Sequence, residues 1–527
     1  MRSPSASSAT TAQKPAGQKP GLVASLGLFS ATAIVMGSMI GSGIFIVPAD
    51  ISRGVGSPAL LIAAWLVTAV MTIIGALSYG ELAAMMPGAG GQYIYLREAL
   101  GRIWGFLFGW TLFLVIQTGT IAAVAVAFGK FLGVFFPSVS TTNWVWHIGH
   151  VPAWKVGPMV LGNMDIGIST ANLAGIVVIL MLAGINVFGV RLGALVQNVF
   201  TTAKTAALLG LVILGVLFGR NAAAIHANFG ANFWHGAGWS TLHPLQVGVG
   251  GPMAMVGVLT ILAVVQTGSL FSADAWNNVT YTAGEVRNPK RNLPLSLALG
   301  TSVVLGLYIL ANFVYLLALP LHGDPHGTTI AARGIQYASE DRVATAALQL
   351  IFSRAGAYMM AGAILISTFG CANGLTLAGA RVYYAMSRDG LFFKSAAKLH
   401  PRWHTPVAAL IVQAVWSCVL CISGSYGQLL DYIICTELIF YILTILCLFV
   451  LRAKRPQAER PYRAIGYPVL PAIYILMAAW ICIVLLRYKP QYTWPGLVIV
   501  LLGVPVFFVW SRSAIREPSP QAESAPE

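Results

Sequence analysis

Charge is what this 527-residue sequence has least of: 9% of its residues are charged, against 57% hydrophobic and a mean hydropathy of +0.77. A water-soluble domain carries about a quarter of its residues as charges, so a water-exposed globule is excluded. The shortage is sharpest for acids, 16 against 31 lysines and arginines. A net charge of +15 would point to nucleic acid in a soluble chain. Here the basic residues fall between apolar runs, so they read as topology signals and contacts to anionic lipid. Cysteine is missing where a secreted fold would need it. All six (Cys371, Cys418, Cys421, Cys435, Cys447 and Cys482) lie inside apolar runs, which excludes a disulfide framework in external loops. Cys418 and Cys421 have C-x-x-C spacing but no clustered His or Asp to complete a metal site. Histidine is scattered, with His147, His150, His226, His235 and His243 in loops and no His-x-x-x-His pair inside a run, which argues against a membrane-embedded metalloenzyme. No Gly-x-x-x-x-Gly-Lys-Ser/Thr occurs, so an ATP-driven pump is excluded as well. The chain is not expected to be an enzyme, and no bound cofactor or metal is expected.

What the chain has in quantity is long apolar sequence. Twelve runs are long enough to cross a bilayer, at roughly 26–49, 58–85, 103–135, 167–190, 197–219, 254–284, 295–320, 355–382, 405–424, 428–451, 467–487 and 494–511. An even number puts both termini on one side. The tails and alternate loops of that side hold twenty-one of the 31 basic residues, among them Arg97, Arg287, Arg388, Arg452 and Arg460. The opposite side holds nine, and Lys204 sits in mid-span. The positive-inside rule therefore places both termini in the cytoplasm. Met1–Pro20 is rich in Ser, Ala and Lys and reads as a disordered tail. The first run is too long, and lacks the small-residue cleavage pattern, for a signal peptide.

Two of the runs are interrupted. Gly37-Ser38-Met39-Ile40-Gly41-Ser42-Gly43-Ile44-Phe45 puts glycines at the centre of the first, where each costs about 1 kcal/mol relative to alanine. The helix should break near Gly41-Ser42-Gly43. Broken backbone at membrane depth is tolerated where it is buried in protein or lines a cavity, and the freed amides of a half-helix suit a carboxylate. The plainer reading is that the glycines let another helix pack closely. The sixth run is interrupted in kind by Gly268-Ser269-Leu270-Phe271-Ser272-Ala273-Asp274-Ala275-Trp276. Spans one and six begin two five-span blocks of opposite orientation, and paired interruptions of that sort point to a transporter with its site at the midplane. The expected fold is an all-α integral membrane protein of twelve transmembrane helices, a LeuT-type 5+5 inverted repeat with discontinuous helices 1 and 6. Residues 1–25 form a tail, 26–220 the first repeat, 254–452 the second, 453–511 helices 11 and 12, and 512–527 the other tail.

Five motifs then appear in order. They are Gly41-Ser42-Gly43-Ile44-Phe45; Pro87-Gly88-Ala89-Gly90-Gly91-Gln92-Tyr93-Ile94-Tyr95 with Ala99 and Gly101; and Glu285-Val286-Arg287-Asn288-Pro289, running to Pro294. Phe369-Gly370-Cys371-Ala372-Asn373-Gly374 follows, with Ser387-Arg388-Asp389-Gly390, and last comes Arg460-Pro461-Tyr462 with Gly466-Tyr467-Pro468. Together they resemble the amino acid–polyamine–organocation superfamily, in its L-type amino acid transporter and bacterial serine/threonine exchanger branch, from about residue 25 to 511. The resemblance implies that a substrate α-carboxylate meets the backbone amides and hydroxyl near Gly41, Ser42 and Gly43. It implies that the α-ammonium meets carbonyls left free near Met39, Ile40 and Phe271, with Phe271 also the aromatic gate. A zwitterion leaving water needs both charges satisfied.

Charges inside the spans are read as functional by default. Lys204 either snorkels to the cytoplasmic end of its helix or, as the resemblance implies, bridges to helix one where sodium sits in sodium-coupled relatives, arguing for sodium independence. Asp274 departs from several L-type members, which carry a small residue there. It either caps the second half of helix six or contacts the substrate amine or takes up a proton. Glu437 aligns with a pocket-lining position of helix ten and sets side-chain preference or titrates. Glu81 and Asp431, near span ends, read as solvated or structural.

The function expected is secondary transport of L-amino acids by alternating access, as a permease or exchanger in the inner cell membrane. A polyamine or cationic amino acid carrier is the alternative within transport. An amino acid sensor on a transporter fold would normally need a sizeable extra cytoplasmic domain, for which Met1–Pro20 and Ser513–Glu527 are too short. Eukaryotic L-type members pair with a glycoprotein through a cysteine between spans three and four. Pro137–Asp165 has none, and the one Asn-x-Ser/Thr sequon, Asn278-Val279-Thr280, falls inside span six. No disulfide-linked ancillary subunit is expected; the partners are an amino acid substrate and the lipid bilayer.

Overall fold

The computed structural model describes residues 24–515 except 153, 157–158, 162–163, 249–250 and 424–425. Most of both expected tails lies outside the described residues, as does the side chain of Asp431. The chain begins with α1 (Leu28–Met39), α2 (Gly43–Val55), α3 (Pro58–Met85) and α4 (Gln92–Leu100). α5 (Arg102–Thr111) runs through a π-helical turn at Leu112–Ile116 into α6 (Gln117–Leu132). After a loop come α7 (Thr170–Val187), α8 (Val190–Phe218) and the short α9 (Ala222–Asn228). α10 (Val258–Ser272) and the single turn α11 (Asn278–Tyr281) precede α12 (Pro289–Ala318) and α13 (Ile330–Arg333). The last helices are α14 (Val343–Arg388), α15 (Val407–Ser423), α16 (Tyr426–Lys454), α17 (Val469–Tyr488) and α18 (Pro490–Ile515).

Ten spans among the described residues are long and apolar enough to cross a membrane, counting Leu28–Val55 as one. Two shorter apolar helices, Val258–Ser272 and Val407–Ile422, stand where the sixth and ninth runs were read. The sixth is short because its break leaves only 15 residues in α10. α14 is longer than expected, with a kink at Phe352–Ser353 in its 46 residues. The structure also corrects the all-α expectation. The loop between α6 and α7 forms two antiparallel hairpins, β1 (Trp144–Val151) with β4 (Met164–Ser169) and β2 (Trp154–Val156) with β3 (Met159–Leu161). A third pairs β5 (Leu242–Gln246) with β6 (Met253–Gly257). These loops are rich in Trp, Val, Ile and Met, residues that favour extended backbone.

The half-helices sit at the centre. α1 packs on α8, α12 and α14, while α2 packs on α10. The residues leading into α1 are zipped to the exit from α11. Ser25 and Leu26 donate their N–H groups to Glu285 O at 2.9 Å, and Arg287 N–H donates to Leu26 O at 2.8 Å. The two interrupted segments are therefore tied together at one rim of the bundle.

The same rim gathers the arginines. Glu81, read from sequence as solvated or structural, is fully buried. It accepts a two-pronged contact from Arg452 at 2.9 and 2.6 Å and the Ala464 N–H at 2.7 Å, with Arg460 Nε at 3.3 Å. α3 is thereby bound to the end of α16 and the loop beyond it. On α4, Arg97 pairs with Asp389 past the end of α14, and Tyr93 donates to the same carboxylate at 2.7 Å. Burial alone would raise the Glu98 carboxyl, but the Arg455 and Arg97 guanidiniums outweigh it and hold it below the ordinary carboxylate range. Deeper in, Glu285 and Arg381 form an ion pair at 3.3 Å with almost no exposure. Leaving one member of a buried ion pair uncompensated costs about 3–5 kcal/mol, whereas exposed pairs contribute about 0–1. Glu81→Gln should therefore lower the unfolding temperature in detergent clearly. Glu459→Gln, which breaks only the exposed pair with Lys290, should leave it nearly unchanged; equal shifts would show that the Glu81 cluster is not a fastening.

Candidate functional site

The first break lies where the glycines put it. Ile40 leaves the helix with φ −74° and ψ 89°, and α2 restarts at Gly43. In the second, α10 stops at Ser272 and α11 starts at Asn278, with Ala275 left-handed at φ 62° between them. Aromatic packing holds that turn: Trp276 stacks on Tyr441 at 5.4 Å between ring centres and meets Tyr79 edge-on at 4.8 Å.

Breaking the helices frees carbonyls, and other helices answer them. Lys204, on α8, is 1% exposed. Its ammonium donates to Gly37 O and to Ile40 O, the latter at 2.7 Å, with Ser367 O at 3.4 Å. It does not snorkel; it ties α8 to the break in α1. Ser367 Oγ, on α14, lies 3.0 Å from both Ile40 O and Gly41 O, and Cys371 Sγ donates to Ser38 O at 3.0 Å. Tyr308 Oη, on α12, is within hydrogen-bond distance of Met39 O at 3.0 Å and Ser272 O at 3.1 Å. The ends of α1 and α10 thus converge on one phenol. On the second helix it is Ser272, rather than Phe271, whose carbonyl faces the junction; Phe271 O accepts from Asp274 N at 3.2 Å.

Between the breaks lies a narrow cavity. Met39, Gly41, Ser42, Gly43, Phe271 and Asp274 line it, joined by Ser38, Thr120, Ser272 and Cys371. Ile40 is fully buried behind it, contributing its carbonyl to Lys204 and Ser367. Glu437 lines a narrow adjoining space with Asp274, Trp276, Tyr441 and Tyr474. Asp274 borders both. Its arrangement differs from the capping reading: the residue before α11 is Asn277, whereas Asp274 Oδ1 accepts from Tyr441 Oη at 2.6 Å. Tyr308, Ser367 and Cys371 were missed by sequence reasoning. Hydroxyls and thiols are ordinary in membrane helices, and only the packing shows which carbonyls they meet.

The plainer reading of the glycines also holds in part. A Cβ on Gly43 would sit 2.7 Å from Ser272 Cβ and 2.9 Å from Ser272 Cα, so this glycine lets α2 approach the end of α10. At Gly41 the nearest atom would be Cys371 Sγ, at 3.1 Å.

The chain matches the sequence family described as "Amino acid permease" over residues 26–510. It is 29% identical over 489 residues to the "Large neutral amino acids transporter small subunit 2" of Rattus norvegicus, covering 92% of this chain and 80% of that one. To the "b(0,+)-type amino acid transporter 1" of Mus musculus it is 28% identical over 483 residues, covering 92% and 87%. To the "Serine/threonine exchanger SteT" of Bacillus subtilis (strain 168) it is 27% identical over 497 residues, covering 93% and 97%.

Two glycine substitutions separate packing from lining. Gly43→Ala should lose folded, monodisperse protein, and trimming its neighbour in Gly43→Ala/Ser272→Ala should not rescue it, because the clash includes Ser272 backbone. Gly41→Ala should still fold, since only a thiol must give by a few tenths of an ångström. Size-exclusion profiles and thermal unfolding report both outcomes.

Proposed function

Because this chain belongs to the amino acid permease family, we propose that it carries L-amino acids across the cell membrane by alternating access, as a sodium-independent permease or exchanger. The observation that carries the reading is the meeting of two helix breaks at one cavity, with Gly41–Gly43 on one wall and Phe271 on the other. The first turn of α2 carries the positive end of a helix dipole. That wall suits the substrate carboxylate. The C-terminal ends of α1 and α10, where Met39 and Ser272 carbonyls face Tyr308, suit the ammonium. Phe271 acts as the gate above the bound amino acid.

Lys204 supplies the argument against sodium. Its fixed ammonium already neutralises the carbonyls of Gly37 and Ile40, where a second cation would be repelled. Twelve spans, arranged as inverted repeats over 26–220 and 254–452 with 453–511 added, are the architecture this mechanism uses, and the basic loops support cytoplasmic termini. The six cysteines are all in helices α14 to α17, which supports a carrier without a disulfide-linked subunit. A second reading, a cationic amino acid carrier, is favoured by Asp274 and Glu437 beside the cavity.

Uptake of labelled amino acids into proteoliposomes holding the purified chain tests the proposal. Uptake should be unchanged when sodium is replaced by potassium, and internal amino acid should accelerate it if exchange is the mode. Lys204→Ala should insert normally and lose most uptake, because removing the ammonium leaves buried carbonyls unsatisfied. A strong sodium requirement, or full activity in Lys204→Ala, would refute the role. Phe271→Ala should slow transport while largely keeping binding, measured by thermal shift, since the open site loses its cover and not its polar contacts.

A further inference from the structure

A larger cavity opens at the other end of the bundle, and the charge that lines it is all of one sign. Arg102, at the start of α5, donates to Asp389 O, just past the end of α14, at 3.3 Å. The continuous α5–α6 and α14 therefore share one end at the arginine-rich rim, and Leu132 and Val343 stand at the other. Between those far ends lies a cavity of about 530 Å³. Val134 beyond α6, Arg333 at the end of α13, and Arg342, Thr345, Arg354 and Tyr358 around the start of α14 border it. Among the described residues no aspartate or glutamate lines it.

The three guanidiniums are incompletely answered. Arg342, with 15% of its side chain exposed, donates Nη2 to Glu340 at 2.8 Å and to Lys130 O at 2.6 Å. Its Nε is buried with no partner. Arg333 donates Nε to Gly327 O at 2.8 Å. Among the described residues neither Arg333 nor Arg354 meets a carboxylate, and Asp341, the other acid of this loop, is taken by Arg53 at 2.7 Å. Thr345 is 7% exposed, and its hydroxyl, on the same cavity, has no partner either. A buried donor left unmade costs free energy. Two of them beside three cations suit acceptor oxygens that carry negative charge.

One edge of the cavity is apolar and open. Phe135, Phe136 and Tyr358 are 37%, 58% and 40% exposed, and Phe135 stacks on Tyr358 at 5.5 Å between ring centres. Aromatic rings at the end of a spanning bundle sit at headgroup depth, and guanidinium forks match the oxygens of a phosphate. A soluble anion would use the arginines and leave the aromatic edge bare; a lipid uses both. Arg342 and Arg354 also stand on either side of the kink in α14, where Ser353 is left-handed at φ 53°, a conformation uncommon for a residue with a side chain. We propose that this cavity is a headgroup site for an anionic phospholipid, in the leaflet away from the Glu81 rim, whose phosphate bridges Arg342 and Arg354 across the kink. The same helix carries Ser367 and Cys371 to the break in α1, so the bound lipid braces the helix that serves the central cavity. The site stands whatever solute the chain carries.

The test is native mass spectrometry of the full purified chain in detergent, offered phosphatidylglycerol or phosphatidylcholine, with thermal unfolding as a second readout. Phosphatidylglycerol should be retained in preference and should raise the unfolding temperature. Arg354→Gln removes an exposed cation that no acid holds, so the variant should fold and retain about tenfold less phosphatidylglycerol. Thr345→Val keeps shape and charge and should also weaken retention. Arg220→Gln, just past α8 at the same end of the bundle and lying on Val216 O at 3.1 Å, should change neither readout. Equal retention of the two lipids overturns the site. So do equal losses in Arg354→Gln and Arg220→Gln, which would show a diffuse surface charge. If inorganic phosphate in lipid-free detergent stabilises the chain as much as phosphatidylglycerol does, the cavity holds a soluble anion and the lipid assignment is overturned.

Discussion

A helix that stops at membrane depth leaves carbonyls and amides where no water can reach them, and most of this fold answers that constraint. The break in α1 is met by Lys204 from α8, Ser367 and Cys371 from α14, and Tyr308 from α12. They come from three helices far apart in the chain, so the break acts as the point on which these helices converge. Glycines make the convergence close. Gly43 admits the end of α10, and a Cβ on Gly370 would press on Phe200 of α8 at 2.7 Å. The cavity is what remains between the two breaks after their polar groups have been served.

Charge is divided between two settings. At the rim, acids meet arginines: Glu81 with Arg452, Asp389 with Arg97, Glu285 with Arg381. Those pairs link different parts of the chain: Arg97 and Asp389 are partly exposed, whereas Glu81 and the Glu285–Arg381 pair are buried and costly to part. At the centre, acids meet neither arginine nor lysine. Asp274 accepts from the Tyr441 phenol and lines one space with Glu437, and Lys204 donates to backbone carbonyls.

Much of this was legible in one dimension. Hydropathy located most of the spans to within a few residues, from 58–85 matching α3 to 467–487 beside α17, but it placed the start of α14 at 355 instead of Val343. Propensity placed both breaks, since a glycine cluster and an Asp–Ala–Trp stretch are poor helix in any surroundings. The fold family followed from motifs spread along the chain. Less was legible in the loops, where hairpin pairing depends on which segments lie side by side, and in span six, whose break shortened α10.

The sequence by itself determined which stretches enter the bilayer, where two of them must unwind, and that lysine and acids are carried in among them. These are local properties, set by the transfer energy and backbone preference of neighbouring residues. Only the tertiary structure decided what each of those groups meets. Lys204 finds a carbonyl 164 residues away and Ser367 finds one 327 away. Gly43 turns out to serve Ser272 across a helix contact, and Asp274 turns from a helix end to Tyr441. Partnership at such separations is decided by how helices pack against one another, which no periodicity along the chain encodes.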